Sequence, residues 1–167
     1  MARGYIKAYA LLLVTALVVL GLDQLAKNIV TANIPPDKII EVIPGFFDLV
    51  SVRNRGAAFG FLNTPDIEWQ FWLFLVATII AIWGIFVLAR QSLGEPWMLV
   101  GLGLILGGAI GNLVDRLCYR HVIDFLDFYW GEWHWPAFNI ADMGICAGVF
   151  IVCVASLGKR KPCGARS

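Results

Sequence analysis

Residues 111–142 read GNLVDRLCYRHVIDFLDFYWGEWHWPAFNIAD, a polar stretch that separates two apolar runs at 97–114 and 140–157. Ionisable groups at membrane depth are expensive and usually have a function. Carboxylates at the ends of such runs are therefore the first candidates for chemistry. The stretch contains four of them, namely Asp115, Asp124, Asp127 and Asp142.

The composition indicates an integral membrane protein. Hydrophobic residues make up 59% of the 167 residues and charged residues 15%, with a mean hydropathy of +0.75. A soluble domain is usually about 45–50% apolar and about 25% charged. The length suggests one domain, residues 1–167. The net charge is +1. Since no basic cluster has regularly interleaved aromatic residues, nucleic-acid binding is not expected.

Four apolar segments are long enough to cross a bilayer as helices. They are predicted at about 8–26, 69–89, 97–114 and 139–157. The first also has the charged start and short apolar run of a cleaved signal peptide, an alternative weakened because its apolar spacing continues to Leu25. The sequence thus predicts an all-α membrane protein with four transmembrane helices.

The segment between the first two predicted spans differs in composition. Residues 34–62 are rich in Pro, Gly and charge, and β-branched and aromatic residues flank Pro44-Gly45 within 39–52. This pattern predicts short strands or a hairpin on the membrane surface, with a plain surface loop as the alternative.

A glycine repeat marks the third predicted span. Gly103, Gly107 and Gly111 recur every four residues. On a helix this spacing puts three small residues on one face, so a neighbouring helix is expected to approach closely there.

Lys and Arg are unevenly distributed over the connections. The N-terminus, the 90–96 linker and the C-terminal tail contain seven in short segments, whereas the two longer connections contain six in many more residues. The positive-inside rule then puts both termini in the cytoplasm. Four carboxylates are consequently expected together at the outer side of the membrane: Asp23, Asp115, Asp124 and Asp142.

Asp124 and Asp142 are 18 residues apart, and the Trp- and Pro-rich connection between them can fold back. Two carboxylates that share a site cannot both ionise easily, so one holds a proton while the other is a base. Such a pair can hydrolyse a bond without a metal. Two alternatives stay open. Asp142 could simply cap the last helix with Asn139, and Asp127 could replace Asp124 if that segment is helical.

Three further groups of polar residues are weaker candidates. Asp115 with Arg116 is more consistent with an ion pair or a positioning device than with a general base, because an adjacent cation keeps a carboxylate ionised. Asp23 and Lys27 form an i,i+4 pair that can anchor the outer segment. Asn54 precedes small residues that would let a backbone approach a substrate.

No cofactor is expected. His121, His134 and the four cysteines do not complete a metal cluster at ligand spacing. The sequence also contains no HExxH motif, no phosphate-binding glycine loop and no recognisable Ser-His-Asp arrangement. The carboxylates are therefore the predicted chemical groups.

Five short motifs occur in order along the chain. They are Asp23-Gln24-x-x-Lys27, Asn54-x-Gly56-Ala57-Ala58-Phe59, Gly111-Asn112-x-x-Asp115-Arg116, Val122-x-Asp124-Phe125 and Phe138-Asn139-x-Ala141-Asp142. Each motif alone is weak, but all five in order within four spans are highly specific. On these motifs the chain closely resembles lipoprotein signal peptidase, also called signal peptidase II, a family of bacterial membrane aspartic peptidases.

The resemblance implies a fold and an activity. It implies a small extracytoplasmic β-cradle between helices 1 and 2. It also implies cleavage of a prolipoprotein just before a lipobox cysteine that carries diacylglycerol. Asp124 and Asp142 would be the catalytic pair. Supporting or substrate-binding roles would belong to Asp23, Lys27, Asn54, Gly56, Asn112, Asp115, Arg116, Asn139 and Ala141.

The resemblance also implies a place in the bacterial cell (inner) membrane, contact with membrane lipid and inhibition by the cyclic peptide globomycin. From the residues alone, two other classes remain as alternatives. A proton-conducting transporter would need carboxylates spread through the depth of the bilayer, and a structural subunit would have no activity by itself. The sequence does not indicate an oligomeric state.

Overall fold

The computed structural model describes residues 2–36, 38–56 and 68–158. It contains four helices that are long and apolar enough to cross a membrane, which confirms that prediction. Their bounds are α1 Ala2–Asn33, α2 Glu68–Gln91, α3 Pro96–Tyr119 and α4 Ile140–Leu157. Helix α1 continues well beyond the predicted end of its span at residue 26.

A small antiparallel sheet lies at one end of the helices. Its strands are β1 Ile40–Ile43, β2 Phe47–Asn54, β3 Val122–Trp130 and β4 Trp133–His134, in the order β1-β2-β3-β4. The predicted hairpin is confirmed, because β1 and β2 are joined by a turn in which Gly45 has φ +75°. The predicted β-rich segment 34–62 is described as far as residue 56, and its last part lies outside the described residues.

The sheet is larger than the sequence predicted. Strands β3 and β4 come from the connection between α3 and α4, and β2 pairs with β3 from Phe47↔Phe128 to Asn54↔Val122. The possibility that residues 124–127 are helical is therefore wrong. Since side chains alternate across a strand, Asp124 and Asp127 point to opposite faces of β3 instead of sharing one.

Helix α3 is the centre of the bundle because glycines let its neighbours approach. A Cβ on Gly103 would lie 2.6 Å from the Leu12 carbonyl oxygen, and one on Gly107 would collide with Ala16. The same spacing brings Gly111 against Asp23, so the predicted glycine face packs on α1. Gly108 of α3 meets Ala141 of α4 in the same way. These contacts bring the polar ends of α1, α3 and α4 together.

The sheet is attached to the bundle by the end of α1. Phe125 on β3 is buried against Val30, which lies in the last turn of α1, and Ile34, which directly follows that helix. Because α1 extends past its predicted span, it reaches the sheet and fixes the height of β3 relative to the helix ends.

Candidate active site

The turn between α3 and β3 positions the first candidate carboxylate. Arg120 ends α3 in the left-handed conformation, with φ +63°, and its amide N–H donates to the Arg116 carbonyl. The chain then enters β3, and Asp124 is the third residue of that strand. Its side chain is only 2% exposed. The reversal thus returns Asp124 over the end of the bundle.

The second candidate, Asp142, lies in the first turn of α4. The Asn139 side chain accepts a hydrogen bond of 3.0 Å from the Asp142 amide, and Asp142 Oδ2 accepts one of 3.3 Å from the Asn139 amide. This reciprocal capping box confirms the capping interpretation. The same carboxylate also faces the cavity described below, so capping and a position in the site are compatible.

Amide side chains hold both carboxylates. Asn54 Nδ2 donates to Asp124 Oδ2 at 2.9 Å, and Asn139 Nδ2 donates to Asp124 Oδ1 at 2.6 Å. Asn112 Nδ2 donates to Asp142 Oδ1 at 2.8 Å. Together with the capping contact, each of the four carboxylate oxygens accepts a hydrogen bond. The carboxyl groups are therefore fixed in orientation by neutral donors.

Asp124 and Asp142 line one cavity of about 480 Å³, a size typical of ligand sites. Asn54, Gly56 and Arg116 contribute to its polar side. The arrangement puts two carboxyl groups where a bound molecule can contact both.

The surroundings of Asp124 change its protonation. Burial raises the pKa of this carboxyl from its ordinary 3.8 to about 6. The hydrogen bond from Asn54 acts in the opposite direction, and the charge of nearby Asp142 raises the pKa further. A carboxyl of this kind exchanges its proton near neutral pH, as a general acid or base must.

A second carboxylate cluster lies beside the cavity, around Lys27. The Lys27 ammonium is 2.8 Å from Asp23 Oδ2 and 2.7 Å from Asp115 Oδ2, and all three side chains are at most 2% exposed. The predicted Asp23–Lys27 pair is therefore present, and it is fully buried. Asp23 Oδ1 also accepts a 2.9 Å hydrogen bond from the Ala141 amide, which ties α1 to the start of α4.

Similar proteins identify the family. The sequence model of the family signal peptidase (SPase) II matches residues 15–158. A lipoprotein signal peptidase from Nitratidesulfovibrio vulgaris is 59% identical over 154 residues, which cover 92% of this chain and 93% of that protein. Another, from Oleidesulfovibrio alaskensis, is 57% identical over 147 residues, covering 88% and 94%. The chain belongs to the signal peptidase II family.

A solved structure agrees with this membership. A bacterial membrane enzyme determined by the in meso method at 2.3 Å resolution matches with a TM-score of 0.80 and 29% identity, over 93% of this chain and 94% of that one. As a signal peptidase II, the chain is a multi-pass bacterial membrane protein and a peptidase that removes signal peptides from prolipoproteins.

One predicted contact of this signal peptidase II is wrong. Asp115 does not hold Arg116 in the described part of the chain; it pairs with Lys27 and accepts a 3.2 Å hydrogen bond from the Ile123 amide. Consecutive helical residues point about a quarter-turn apart, so the two side chains diverge. Arg116 lies 4.7 Å from the Phe74 ring centre, and its Nη2 donates to the Gly56 carbonyl at 3.4 Å. It therefore belongs to the cavity.

The structure brings the other predicted residues to these two clusters. The Gly56 amide donates to Asn54 Oδ1 at 2.9 Å and so orients the Asn54 side chain toward Asp124. Residues 57–59 of the same motif lie outside the described residues. Asp127 instead pairs with His134, whose Nδ1 is 2.9 Å from Asp127 Oδ2. The geometry thus favours Asp124 over Asp127 as the partner of Asp142.

Sequence reasoning missed the contribution of Gln24. Its amide donates to Asp115 Oδ1 at 2.9 Å and to the Gly111 carbonyl at 3.2 Å, which joins α1 to α3. A polar residue near the end of an apolar helix was the available signal. Its partners lie on another helix and could not be identified from spacing along the chain.

Proposed function

We propose that this signal peptidase II is an aspartic endopeptidase with Asp124 and Asp142 as its catalytic pair. It cuts a prolipoprotein just before the lipobox cysteine that carries a diacylglyceryl group. The observation that carries this proposal is the shared cavity, in which the buried carboxyl group of Asp124 and the partly buried one of Asp142 are held by amide donors.

The pair supports hydrolysis by general acid–base catalysis. One carboxylate accepts a proton from a water molecule, and the resulting hydroxide adds to the carbonyl carbon of the scissile bond. The other carboxyl group gives its proton to the carbonyl oxygen. Collapse of the tetrahedral intermediate breaks the C–N bond, and the proton taken from water passes to the leaving amine of the cysteine. As the C=O bond re-forms, a hydroxyl of the intermediate returns a proton to the other carboxylate, which restores the pair. Two carboxyl groups that share one proton suit these exchanges.

Other residues of the cavity have supporting roles in this proposal. Asn54, Asn112 and Asn139 orient the two carboxyl groups through the hydrogen bonds described above. Arg116 and Gly56 line the cavity and bind the substrate backbone. Asp23, Lys27, Asp115 and Ala141 hold the three helix ends in place.

The distribution of Lys and Arg supports an orientation with both termini in the cytoplasm and the catalytic pair at the outer face of the cell (inner) membrane. A lipid-modified substrate reaches such a site from the bilayer itself. A cyclic peptide such as globomycin would inhibit by occupying the cavity between the two carboxyl groups, where it competes with the peptide substrate.

The experiment that tests this function uses purified protein in lipid nanodiscs with two precursors. One carries diacylglycerol on its cysteine, the other does not, and both are anchored by their own signal helix. We expect cleavage just before the cysteine, verified by mass spectrometry, and a much higher kcat/KM for the lipidated form. Equal kcat/KM for both forms would refute lipid recognition, and no cleavage of either would refute the proposed activity.

A further inference from the structure

The cavity that contains the catalytic pair has a second, apolar side. Besides the asparagines and Arg116, it is lined by side chains without strong hydrogen-bonding groups, among them Met143 and Cys146. A peptide backbone brings N–H and C=O groups that need partners, and sulfur groups are only weak ones. This side therefore suits a hydrocarbon better than a peptide.

Helix α4 places this apolar side next to the lipid. Cys146 is one turn along α4 from Asp142, so both point to the same side of the helix. Met143 is 52% exposed and Cys146 is exposed, although both lie in a helix apolar enough to cross a membrane. Only 17% of the residues of α4 are buried within the protein. The cavity thus extends from the catalytic pair to a face of α4 that the protein leaves exposed.

Trp135 belongs to the lining of the same cavity. It lines the cavity just after β4 and is 46% exposed. Its ring meets that of Trp133 edge to face at 6.0 Å, and its amide donates to the Phe128 carbonyl at 2.8 Å, which fixes this segment on the sheet. Tryptophan is enriched where hydrocarbon meets the polar headgroups. A lipid anchor changes from glycerol to acyl chain at that level, so an exposed tryptophan in the cavity lining suits such a group.

We propose that Trp135, Met143 and Cys146 form a lateral subsite for the diacylglyceryl group of the substrate cysteine. The subsite rests on the proposed function and assigns the lipid part of that substrate to a place. The glycerol lies at the opening, and the acyl chains pass over Met143 and Cys146 into the bilayer. The acyl chains can then stay in the hydrocarbon of the bilayer. Each buried CH₂ group of such a chain contributes about 0.8 kcal/mol to membrane partitioning.

The geometry links this subsite to the position of the scissile bond. One helical turn, about 5.4 Å, separates Cys146 from Asp142. A thioether and glycerol attached to a cysteine span a similar distance. Lipid seated at Cys146 would hold the bond before that cysteine against the two carboxyl groups. Binding energy from a remote part of the substrate then contributes to alignment and raises kcat.

A pair of cysteine substitutions tests the subsite. Cys146→Trp fills the opening. Cys118→Trp is the control, because it puts the same side chain at another exposed cysteine, near the end of α3. Among the residues that the structure describes, Cys118 is not part of the cavity lining. For Cys146→Trp we expect kcat/KM to fall by about tenfold or more with the lipidated precursor and little with the unlipidated one. Cys118→Trp should leave the ratio of the two rates at the wild-type value.

The outcomes separate this inference from the proposed function. If wild type cuts the lipidated precursor and Cys146→Trp leaves the ratio unchanged, the subsite is wrong and the peptidase stands. Equal losses with both precursors would also overturn it, because the substitution would then only obstruct the cavity. If wild type cuts neither precursor, the proposed function fails first.

Thiol labelling gives a second measurement that does not depend on turnover. In Asp124→Asn, with Cys153 and Cys163 replaced by serine, the lipidated precursor should protect Cys146 from a membrane-permeant maleimide. Cys118 should stay reactive, and the unlipidated precursor should protect neither. Undiminished labelling of Cys146 at saturating lipidated precursor would contradict the subsite.

Discussion

Two clusters of carboxylates lie side by side at the end of the bundle and use the same side chain differently. In the first, Asp23 and Asp115 surround the buried ammonium of Lys27 at 2.8 and 2.7 Å. In the second, Asp124 and Asp142 line a cavity and accept hydrogen bonds from neutral amides. A cation pairs with both carboxylates of the first cluster, whereas neutral amides orient those of the second.

This difference separates structural carboxylates from those available for proton transfer. A buried ion pair that loses one member leaves an uncompensated charge, so the first cluster links α1, α3 and α4 tightly. Burial raises the pKa of Asp124 to about 6, because the neutral donors that hold this carboxyl only partly offset the loss of water around its charged form. The first cluster can hold the fold, and the second can exchange protons with a substrate.

Asn112 joins the two clusters. Its Oδ1 accepts a 3.0 Å hydrogen bond from Lys27, and its Nδ2 donates to Asp142. Because an ammonium can only donate, it determines which end of the Asn112 amide points toward Asp142. The ion-pair cluster thus orients a donor of the proposed catalytic pair without contacting the cavity itself.

The largest expected effect is on activity, at the cavity. Asp124→Asn and Asp142→Asn should each lower kcat/KM by about 10³-fold or more, since an amide can neither accept nor donate the required proton. Both variants should still insert and fold. Cleavage of the lipidated precursor, measured beside the thermal midpoint, checks this.

Asp127→Asn is the matched control, because it changes the same side chain on the opposite face of β3. It should keep most of its activity. A well-folded Asp124→Asn or Asp142→Asn that turns over near the wild-type rate would remove the distinction between the two clusters.

The next effect is on stability, at the ion pair. Lys27→Met should lower the free energy of unfolding by about 3–5 kcal/mol, because it leaves two buried carboxylates without a cation. For a chain of this size, that is a fall of roughly 10 °C in the thermal midpoint. Adding Asp23→Asn and Asp115→Asn to Lys27→Met should recover much of the loss. A fall in midpoint that the added asparagines deepen would argue against charge as the cause.

Two neighbouring residues sharpen the comparison, because Asp115 belongs to the ion-pair cluster and Arg116 to the cavity. Asp115→Asn should mainly lower stability, by about 2–3 kcal/mol, through weaker hydrogen bonds to charged groups. Arg116→Gln should mainly lower kcat/KM, by about 10²-fold, with a small change in midpoint. Specific activity and midpoint, measured on both variants, separate the two. Matched losses in both quantities would make the pair a single structural unit.

A smaller effect concerns pH. The pKa of Asp124 is raised from 3.8 to about 6, so the folded protein holds this proton more strongly than the unfolded chain. Wild type should therefore lose stability relative to Asp124→Ala as pH rises from about 4 to above 6, by about 1–3 kcal/mol. Thermal midpoints across this range measure the difference.

An exposed carboxylate provides the control for that pH series. Glu132→Ala, at the β3–β4 turn, shows how much of the difference comes from removing one surface carboxyl group. If the wild-type curve and the Asp124→Ala curve are parallel, the carboxyl of Asp124 is not perturbed and its place in the second cluster needs revision.

The smallest expected effect is that of a chelator. Within the described residues, no group of three or more His, Cys, Asp or Glu side chains is arranged to hold a metal ion. We expect the cleavage rate to be unchanged in EDTA. Activity that disappears with EDTA and returns with one divalent ion would turn the second cluster into a metal site.

Much of this molecule follows from local sequence. The four spans follow from length and apolar composition, the β1–β2 turn from Pro44-Gly45, and the close helix approach from Gly103 and its repeats. The Asp23–Lys27 pair and the capping box at Asn139 follow from i,i+4 and i,i+3 spacing. Each of these rests on a period or a neighbour within one element, which sequence displays directly.

The tertiary structure decided the rest. Whether Asp124 or Asp127 faces the cavity depends on the pairing of β2 with β3. These strands are distant in sequence: Asn54 and Asp124, which form a hydrogen bond between them, are 70 residues apart. The partner of Asp115 is Lys27 on another helix instead of the adjacent Arg116, because side-chain direction on a helix and close glycine packing bring α1 within reach. Such contacts are set by which surfaces pack together, and no spacing along the chain encodes them.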